Sequence, residues 1–406
     1  RTGKLMAKNN NVYVSSLKKG KAQFVLIGEA KINDYTYKID EKSDKSDWIY
    51  NSLNLGVLCG EKHGTIYTEL MGGYGCEREN VIYVHGKTEE GRDDFDNRFE
   101  INWEDRNNET ILESIGDLCF LTAGLEKDKF GKVVYKKFLS AYDFINYVKE
   151  NLTPNTVVNV KGNLKYSIYN GNVQTKKEVN SIVLSKVDSV DKYKANFTQT
   201  MLLTRDSVGE VDKEKSILPI YAKVVDYTNG WNGKTEYNGK LIKCNVTYPK
   251  TFEYEIDLEN KELVNKIISK VFKVKKNVTE ITFEGDLIEG GAVVTTTIDD
   301  VPDDIKELIA MGIYTEEEAI AKCSVNNGTK KRMVIRRPLI IMKGDEDAKV
   351  PVIQKFEDKY KEEELVFDFM TASDEDEEDE DVNNSRESDD DDSASEDSMP
   401  SWMKNL

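Results

Sequence analysis

Apolar positions along the chain switch period twice in the same way. Ala141, Phe144, Ile145 and Val148 fall at i, i+3, i+4 and i+7, the stripe of an amphipathic helix. Ser140 precedes it with Asp143 three residues on, a capping spacing, and Asn151-Leu152-Thr153-Pro154-Asn155 stops it. The period then drops to two in Val158-x-Val160-x-Gly162-x-Leu164, an alternating strand with one internal glycine. Val264, Ile267, Ile268 and Val271 repeat the stripe, Lys275-Lys276-Asn277 repeats the turn, and Ile281-x-Phe283-x-Gly285-x-Leu287 repeats the strand. Val148 to Val158 and Val271 to Ile281 are both ten residues apart. A shared period switch at a shared spacing implies a duplicated domain.

Strands are expected on either side of each repeat. Residues 21–39, 48–58, 65–71 and 81–84 alternate, with breaks at Cys59-Gly60 and Gly64, and Gly72-Gly73-Tyr74-Gly75 reads as a flexible loop. Residues 86–98 read as an exposed charged loop and 104–138 as a mixed connection. Asn170-Gly171 marks a hairpin turn. The pattern is mainly β with few helices, an α+β content. It divides into an arm at 1–20, a first domain at 21–190 with an insertion before its helix, a linker at 191–216, and a second domain at 217–345. Inside the second domain, 302–323 reads as two short helices, with Thr315 capping the second. Arg336-Arg337-Pro338 suggests an edge or a bulge in its closing strand. A connector at 346–370 leads to a tail at 371–406.

Charge changes this picture at one end. The chain of 406 residues carries a net charge of −18. Residues 362–406 hold 19 Asp and Glu against Arg386 and Lys404, a net of −17, so the remainder holds 55 basic and 56 acidic groups, a net of −1. A segment so acidic and so poor in apolar residues cannot offset its ordering entropy and is expected to be disordered. Met399-Pro400-Ser401-Trp402-Met403 then turns apolar again. Eighteen consecutive apolar residues occur nowhere, and Arg1–Lys8 lacks the apolar core of a secretory leader. Five scattered cysteines argue against a disulfide framework and for a reducing cytoplasm.

Two domains built from strands with one helix before the last two strands resemble the OB fold, so two tandem OB-fold-like barrels plus a disordered acidic tail are expected. Tandem barrels followed by an acidic tail with an apolar tip resemble bacterial and phage single-stranded DNA-binding proteins. Asp389–Asp392 and Asp397 match the acidic part, and Pro400-Ser401-Trp402 stands where that family commonly ends in Pro-Phe. Here four residues follow the Trp. The resemblance implies coating of single-stranded DNA in replication, recombination or repair, with Met399, Pro400, Trp402 and Met403 docking replication or recombination proteins. The Lys-, Asn-, Ile- and Tyr-rich composition suits a phage of a low-GC bacterium.

The residues themselves carry little catalytic chemistry. Phosphate-loop, zinc-protease, nucleophile-elbow and dinucleotide motifs are all missing, and with two histidines most general-base schemes fall away. The reading is a non-catalytic protein with no cofactor. Cys59-x3-His63 and Cys76-x8-His85 gather two thiols and two imidazoles, a donor set zinc would accept, although neither pair has the usual spacing. The aromatic residues say more. Tyr35, Tyr37, Tyr50, Tyr67, Tyr74, Tyr83, Trp103, Tyr166 and Tyr169 lie on polar faces or in loops, near Lys31, Lys38, Lys87, Arg92, Arg98 and Lys165. Flat rings for base stacking beside cations for phosphate are what single-stranded nucleic acid requires. In the second domain Tyr227, Trp231, Lys234, Tyr237 and Lys240 make a similar loop, and Lys330, Lys331, Arg332, Arg336 and Arg337 form the densest basic cluster. A stacking surface of this kind would also accept RNA, and a protein-binding role in a virion or other assembly is the remaining alternative.

Overall fold

The computed structural model describes residues 11–290, 303–311, 314–316, 331–344 and 349–371. The first half contains β1 (Ala22–Lys31), β2 (Tyr37–Lys42), β3 (Trp48–Leu58) and β4 (Thr65–Gly75). An insertion follows, with β5 (Val81–Lys87), β6 (Asp93–Asn102), α1 (Glu109–Glu113), β7 (Leu121–Lys127) and β8 (Val133–Phe138). The half ends with α2 (Ala141–Asn151), β9 (Val157–Tyr169) and β10 (Asn172–Leu184). The second half has β11 (Lys194–Leu203), β12 (Ile217–Thr228), the short β13 (Glu236–Tyr237) and β14 (Lys240–Leu241), and β15 (Cys244–Glu255). After these come α3 (Lys261–Ile267), β16 (Val278–Ile288), α4 (Asp303–Ala310), β17 (Arg332–Pro338), β18 (Ile340–Lys343), β19 (Val350–Ile353) and β20 (Lys355–Tyr360). Arg1–Phe367 form one compact unit; of the second, Asp368–Leu406, one helical turn at Asp368–Thr371 is described.

Each half closes a five-stranded barrel. β1 pairs antiparallel with β3 and β9, β3 with β4, β9 with β10, and β4 meets β10 in parallel at Glu69 and Glu178. In the second half β11 pairs antiparallel with β12 and β16, β12 with β15, β16 with β17, and β15 runs parallel to β17. Both circuits run 1-2-3-5-4 through the barrel's own strands, with a helix between the third and fourth. This is an OB-like architecture, mainly β as the alternation implied. Ser140 caps α2 by accepting from the Tyr142 N–H at 3.1 Å, and Phe144, Ile145 and Val148 are buried beneath it. The second helix is shallower: it loosens into a π turn at Ile268–Phe272, and Phe272 becomes its buried residue.

The repeated glycine has one structural cause in both copies. Gly162 lies opposite Phe24 of β1, and Gly285 lies opposite Phe197 of β11. A Cβ on Gly162 would come within 2.0 Å of the Glu178 carbonyl oxygen and 2.6 Å of the Phe24 ring; on Gly285 it would reach Val334 O at 2.2 Å and the Phe197 ring at 2.3 Å. Beside each glycine the fifth strand carries one extra residue, Asn180 in β10 and Arg336 in β17. The bulge expected near Arg336 is therefore part of the repeat. Phe24 and Phe197 also face each other across the β1–β11 pair, so the two barrels join through their first strands about a local twofold.

Several local expectations are corrected. The linker expected at 191–216 contains β11, the first strand of barrel two. Its alternation is masked because Gln199 occupies an inward position and Leu202, on the outward side, is buried as well. Residues 86–98, expected as a loop, are largely the β5–β6 hairpin. Gly72–Gly75 continues β4; a Cβ at Gly72 would sit 2.6 Å from the Ala141 Cβ of α2, and one at Gly73 2.0 Å from Ile49 O. Glycine there permits close packing. The connector at 346–370 holds β19 and β20, and β20 pairs with the start of β16. Of the two helices expected at 302–323, the first is α4; the second, after Thr315, falls largely outside the described residues.

Candidate nucleic-acid interface

Alternation on β3 and β4 sorts side chains to opposite faces of barrel one. Leu53, Leu55, Val57, Ile66 and Leu70 point inward and are buried. Outward come Trp48, Tyr50, Ser52 and Asn54 on β3, and Tyr67, Glu69 and Met71 on β4, with Tyr50 opposite Gly73 and Ser52 opposite Met71. Trp48 and Tyr50 stack at 4.9 Å with planes 19° apart. Tyr67 and Met71 are about half exposed, at 52% and 56%. Lys38 of β2 lies opposite Ser52 and adds a cation, while Tyr35 stands 82% exposed in the preceding turn. Beside β4, β9 and β10 set Lys165 opposite Lys176 and Tyr169 opposite Asn172, and Lys176 pairs with Glu69 of β4 at 3.1 Å. Tyr50 and Tyr67 thus share one side of the barrel, joined by Trp48 and Met71, which the sequence reading left out. Trp48 was legible: two residues before Tyr50 on a strand, it must share its face.

Other sequence candidates have structural duties. Tyr166 is buried and its hydroxyl donates to Gln199 Oε1 at 2.9 Å, with burial pushing the phenol pKa upward. The Tyr37 hydroxyl is buried without a hydrogen-bond partner among the described residues, and desolvation raises its pKa to about 12. Trp103 packs against Tyr74 and Tyr142, and the Arg106 guanidinium lies 4.2 Å over its ring while gripping Asp143. Those rings fasten the insertion to α2. Trp231 stacks on the buried Tyr248 at 5.5 Å, and Tyr237 and Lys240 form the β13–β14 pair, where Lys240 approaches the Tyr13 ring. Lys234 turns back to bond Trp231 through the backbone.

The charged candidates are mostly paired. Lys31 contacts Glu29 and Asn155, Lys87 contacts Asp117, Arg92 contacts Glu90, and Arg98 donates to the Phe95 carbonyl. The basic cluster on β17 is neutralised residue by residue: Arg332 by Glu253, Arg336 by Asp286 and Arg337 by Glu284. Lys330 falls outside the described residues, as do Met399, Pro400, Trp402 and Met403. Exposed rings at Tyr83 and Tyr169 remain, each 60% or more accessible.

Barrel two offers a different surface. Tyr221 and Tyr227 are about half exposed on the outward side of β12. Between them Val225 is buried with Leu17, Leu202, Val278, Tyr360 and Leu365, and Thr247, opposite Val225 on β15, donates to the Leu365 carbonyl at 2.7 Å. The chain's own segment 360–365 therefore lies over that part of the face. Lys223 has its ammonium pKa lowered by burial, with Glu362 pulling the other way.

The zinc candidates do not converge. Cys59 is buried and its thiol is pushed up to about 12 by desolvation, His63 Nδ1 bonds the Leu287 carbonyl at 2.9 Å, and Cys76 is exposed. His85 pairs with Asp93 and with Cys119, a cysteine 34 residues on. Among the described residues no group of three or more His, Cys, Asp or Glu is placed to hold a metal.

Comparisons with known proteins add the following. The YorF family model matches residues 125–305. No curated protein matches the sequence. Among solved structures, the wild-type single-stranded DNA-binding protein from Thermus aquaticus aligns over 67% of this chain and 87% of its own at 10% identity, with a TM-score of 0.29. A deletion variant of the same protein aligns over 67% and 88%, also at 10% identity, with a TM-score of 0.27.

Proposed function

We propose that this chain is a non-catalytic protein that binds single-stranded DNA across the outward face of β3 and β4. The observation that carries the reading is the clustering of Trp48, Tyr50, Tyr67 and Met71 on the second and third strands of a closed OB-like barrel. That is the surface through which this architecture takes oligonucleotides. Rings stack with any base, so such a surface binds without reading sequence, and Lys38 and Lys165 follow the phosphates. Barrel two serves mainly as the partner that buries the first strand of barrel one, because part of its own face is covered by residues 360–365. The acidic tail recruits replication or recombination proteins through Met399, Pro400, Trp402 and Met403.

Intrinsic fluorescence of the full chain, titrated with dT and rU oligomers and with duplex DNA at several salt concentrations, tests this. Quenching by dT that weakens with salt is expected. Absence of quenching by any single strand overturns the proposal, and equal or stronger quenching by rU reassigns the surface to RNA.

A further inference from the structure

The insertion contains a constellation outside the proposed DNA face. Cys119 ends the helical turn Asp117–Cys119, and its Sγ lies 3.2 Å from His85 Nδ1 on β5. His85 Nε2 lies 2.7 Å from Asp93 Oδ1 on β6. Asp93 is held in its charged form by the Leu118 N–H and by His85, which lower its pKa. A carboxylate only accepts, so Nε2 carries the imidazole proton. Nδ1 is then the lone-pair nitrogen, and it faces the thiol. Nucleophile, base and orienting group are thus in series, the arrangement that activates a thiol.

The surroundings keep this geometry. A Cβ on Gly116 would lie 2.4 Å from Asp93 Oδ1 and 2.5 Å from the His85 ring, so glycine lets the pair close. A register shift in the β5–β6 ladder after His85 leaves extra residues on β6, and Phe95 among them packs on the His85 ring at 4.6 Å. Cys119 is partly exposed, packed at the edge of the Val84, Ile101, Ile115 and Phe120 cluster, and the neighbouring Leu118 is 72% accessible. The neighbouring charges are Asp117 on the same turn, which contacts Lys87 of β5 and Lys137 of β8, and Arg98, which holds the Phe95 carbonyl.

We propose that Cys119 is a nucleophilic thiol that exchanges with small disulfides to form a reversible mixed disulfide. His85 Nδ1 takes the Sγ proton, and the thiolate attacks one sulfur of the disulfide. A new S–S bond to Cys119 forms as the old one breaks, and the departing thiolate recovers the proton from His85. Cys119 is oxidised to the disulfide level and one sulfur of the small disulfide is reduced to a free thiol, the other staying in the mixed disulfide, so no further oxidant is needed. Asp93 is a positioning residue.

The test is the reaction of the full chain with the aryl disulfide 5,5′-dithiobis(2-nitrobenzoate), with the modified cysteines mapped by peptide mass spectrometry. Cys119 should react about tenfold or more faster than the exposed Cys76 near neutral pH, and His85→Gln and Asp93→Asn should each remove most of that advantage without slowing Cys76. The Cys119 rate should also rise less steeply than that of Cys76 between about pH 6 and 8 in the wild type, and as steeply in Asp93→Asn. A variant that failed to fold would reveal itself by faster labelling of the buried Cys59 and Cys244. Labelling of Cys76 as fast as Cys119, or an Asp93→Asn rate and pH profile equal to wild type, overturns the proposal.

Discussion

Replacing Tyr67 with alanine separates a stacking surface from an ordinary sheet face. The ring is 52% exposed and stands opposite Gly56, so about half of its area is buried in the fold. At roughly 25 cal/mol per Å² over about 75–125 Å² of ring, the loss in stability should be about 2–3 kcal/mol, which leaves the fold intact. Binding is another matter. One base lost from an aromatic platform costs about 1–3 kcal/mol, a rise of roughly 5- to 150-fold in Kd. No charge is removed, so the slope of log K against log salt should not change. Tyr221→Ala is the matched control, since that ring in barrel two is also 52% exposed. It should alter Kd by less than about threefold. Fluorescence anisotropy with labelled dT oligomers reads both, and urea denaturation checks that the folds are intact. A Tyr67→Ala protein that binds within twofold of wild type, or a Tyr221→Ala protein weakened as much, would refute the assignment to β3 and β4.

Three further outcomes follow from the fold. Gly162→Ala and Gly285→Ala should each destabilise by about 1–3 kcal/mol or more, since both force a Cβ against a carbonyl oxygen and a buried Phe ring; equilibrium denaturation showing less than about 0.5 kcal/mol would argue against the shared packing. Lys177 of barrel one and Glu289 of barrel two form a 2.5 Å ion pair with both side chains 7% exposed. Glu289→Ala leaves a buried, unpaired ammonium and should cost about 3–5 kcal/mol, while the double replacement Lys177→Met with Glu289→Leu should recover most of it. Deleting residues 371–406 should strengthen DNA binding at low salt, by removing an acidic competitor for the cations, and abolish partner recruitment; unchanged low-salt affinity would discard the competition.

How far the sequence could be read depended on whether burial followed a simple period. The helix stripe at Ala141–Val148 and the strand around Gly162 were legible because one face meets a core and the other meets water. Their second copy at Val264–Leu287 revealed the duplication. β11 was hidden because Gln199 is polar inside and Leu202 is covered outside by Leu17 and Tyr360, residues far away in the chain. The candidate site divided in the same way. Exposed Tyr35 and Tyr67 could be inferred from alternation and polarity. Whether Tyr166, Trp103 and Arg336 were free could not, because Gln199, Tyr142 and Asp286 meet them only once distant segments are folded together. His85 showed the limit most clearly: proximity in sequence suggested Cys76, and the fold supplied Cys119 and Asp93. The sequence by itself determined two repeated strand-rich domains, a glycine in each fourth strand and an acidic end. The tertiary structure decided what those glycines accommodate, how the first strands join the barrels, and which rings remain open to a ligand. Periodicity records whether a side chain is buried, and partner identity depends on contacts between distant segments.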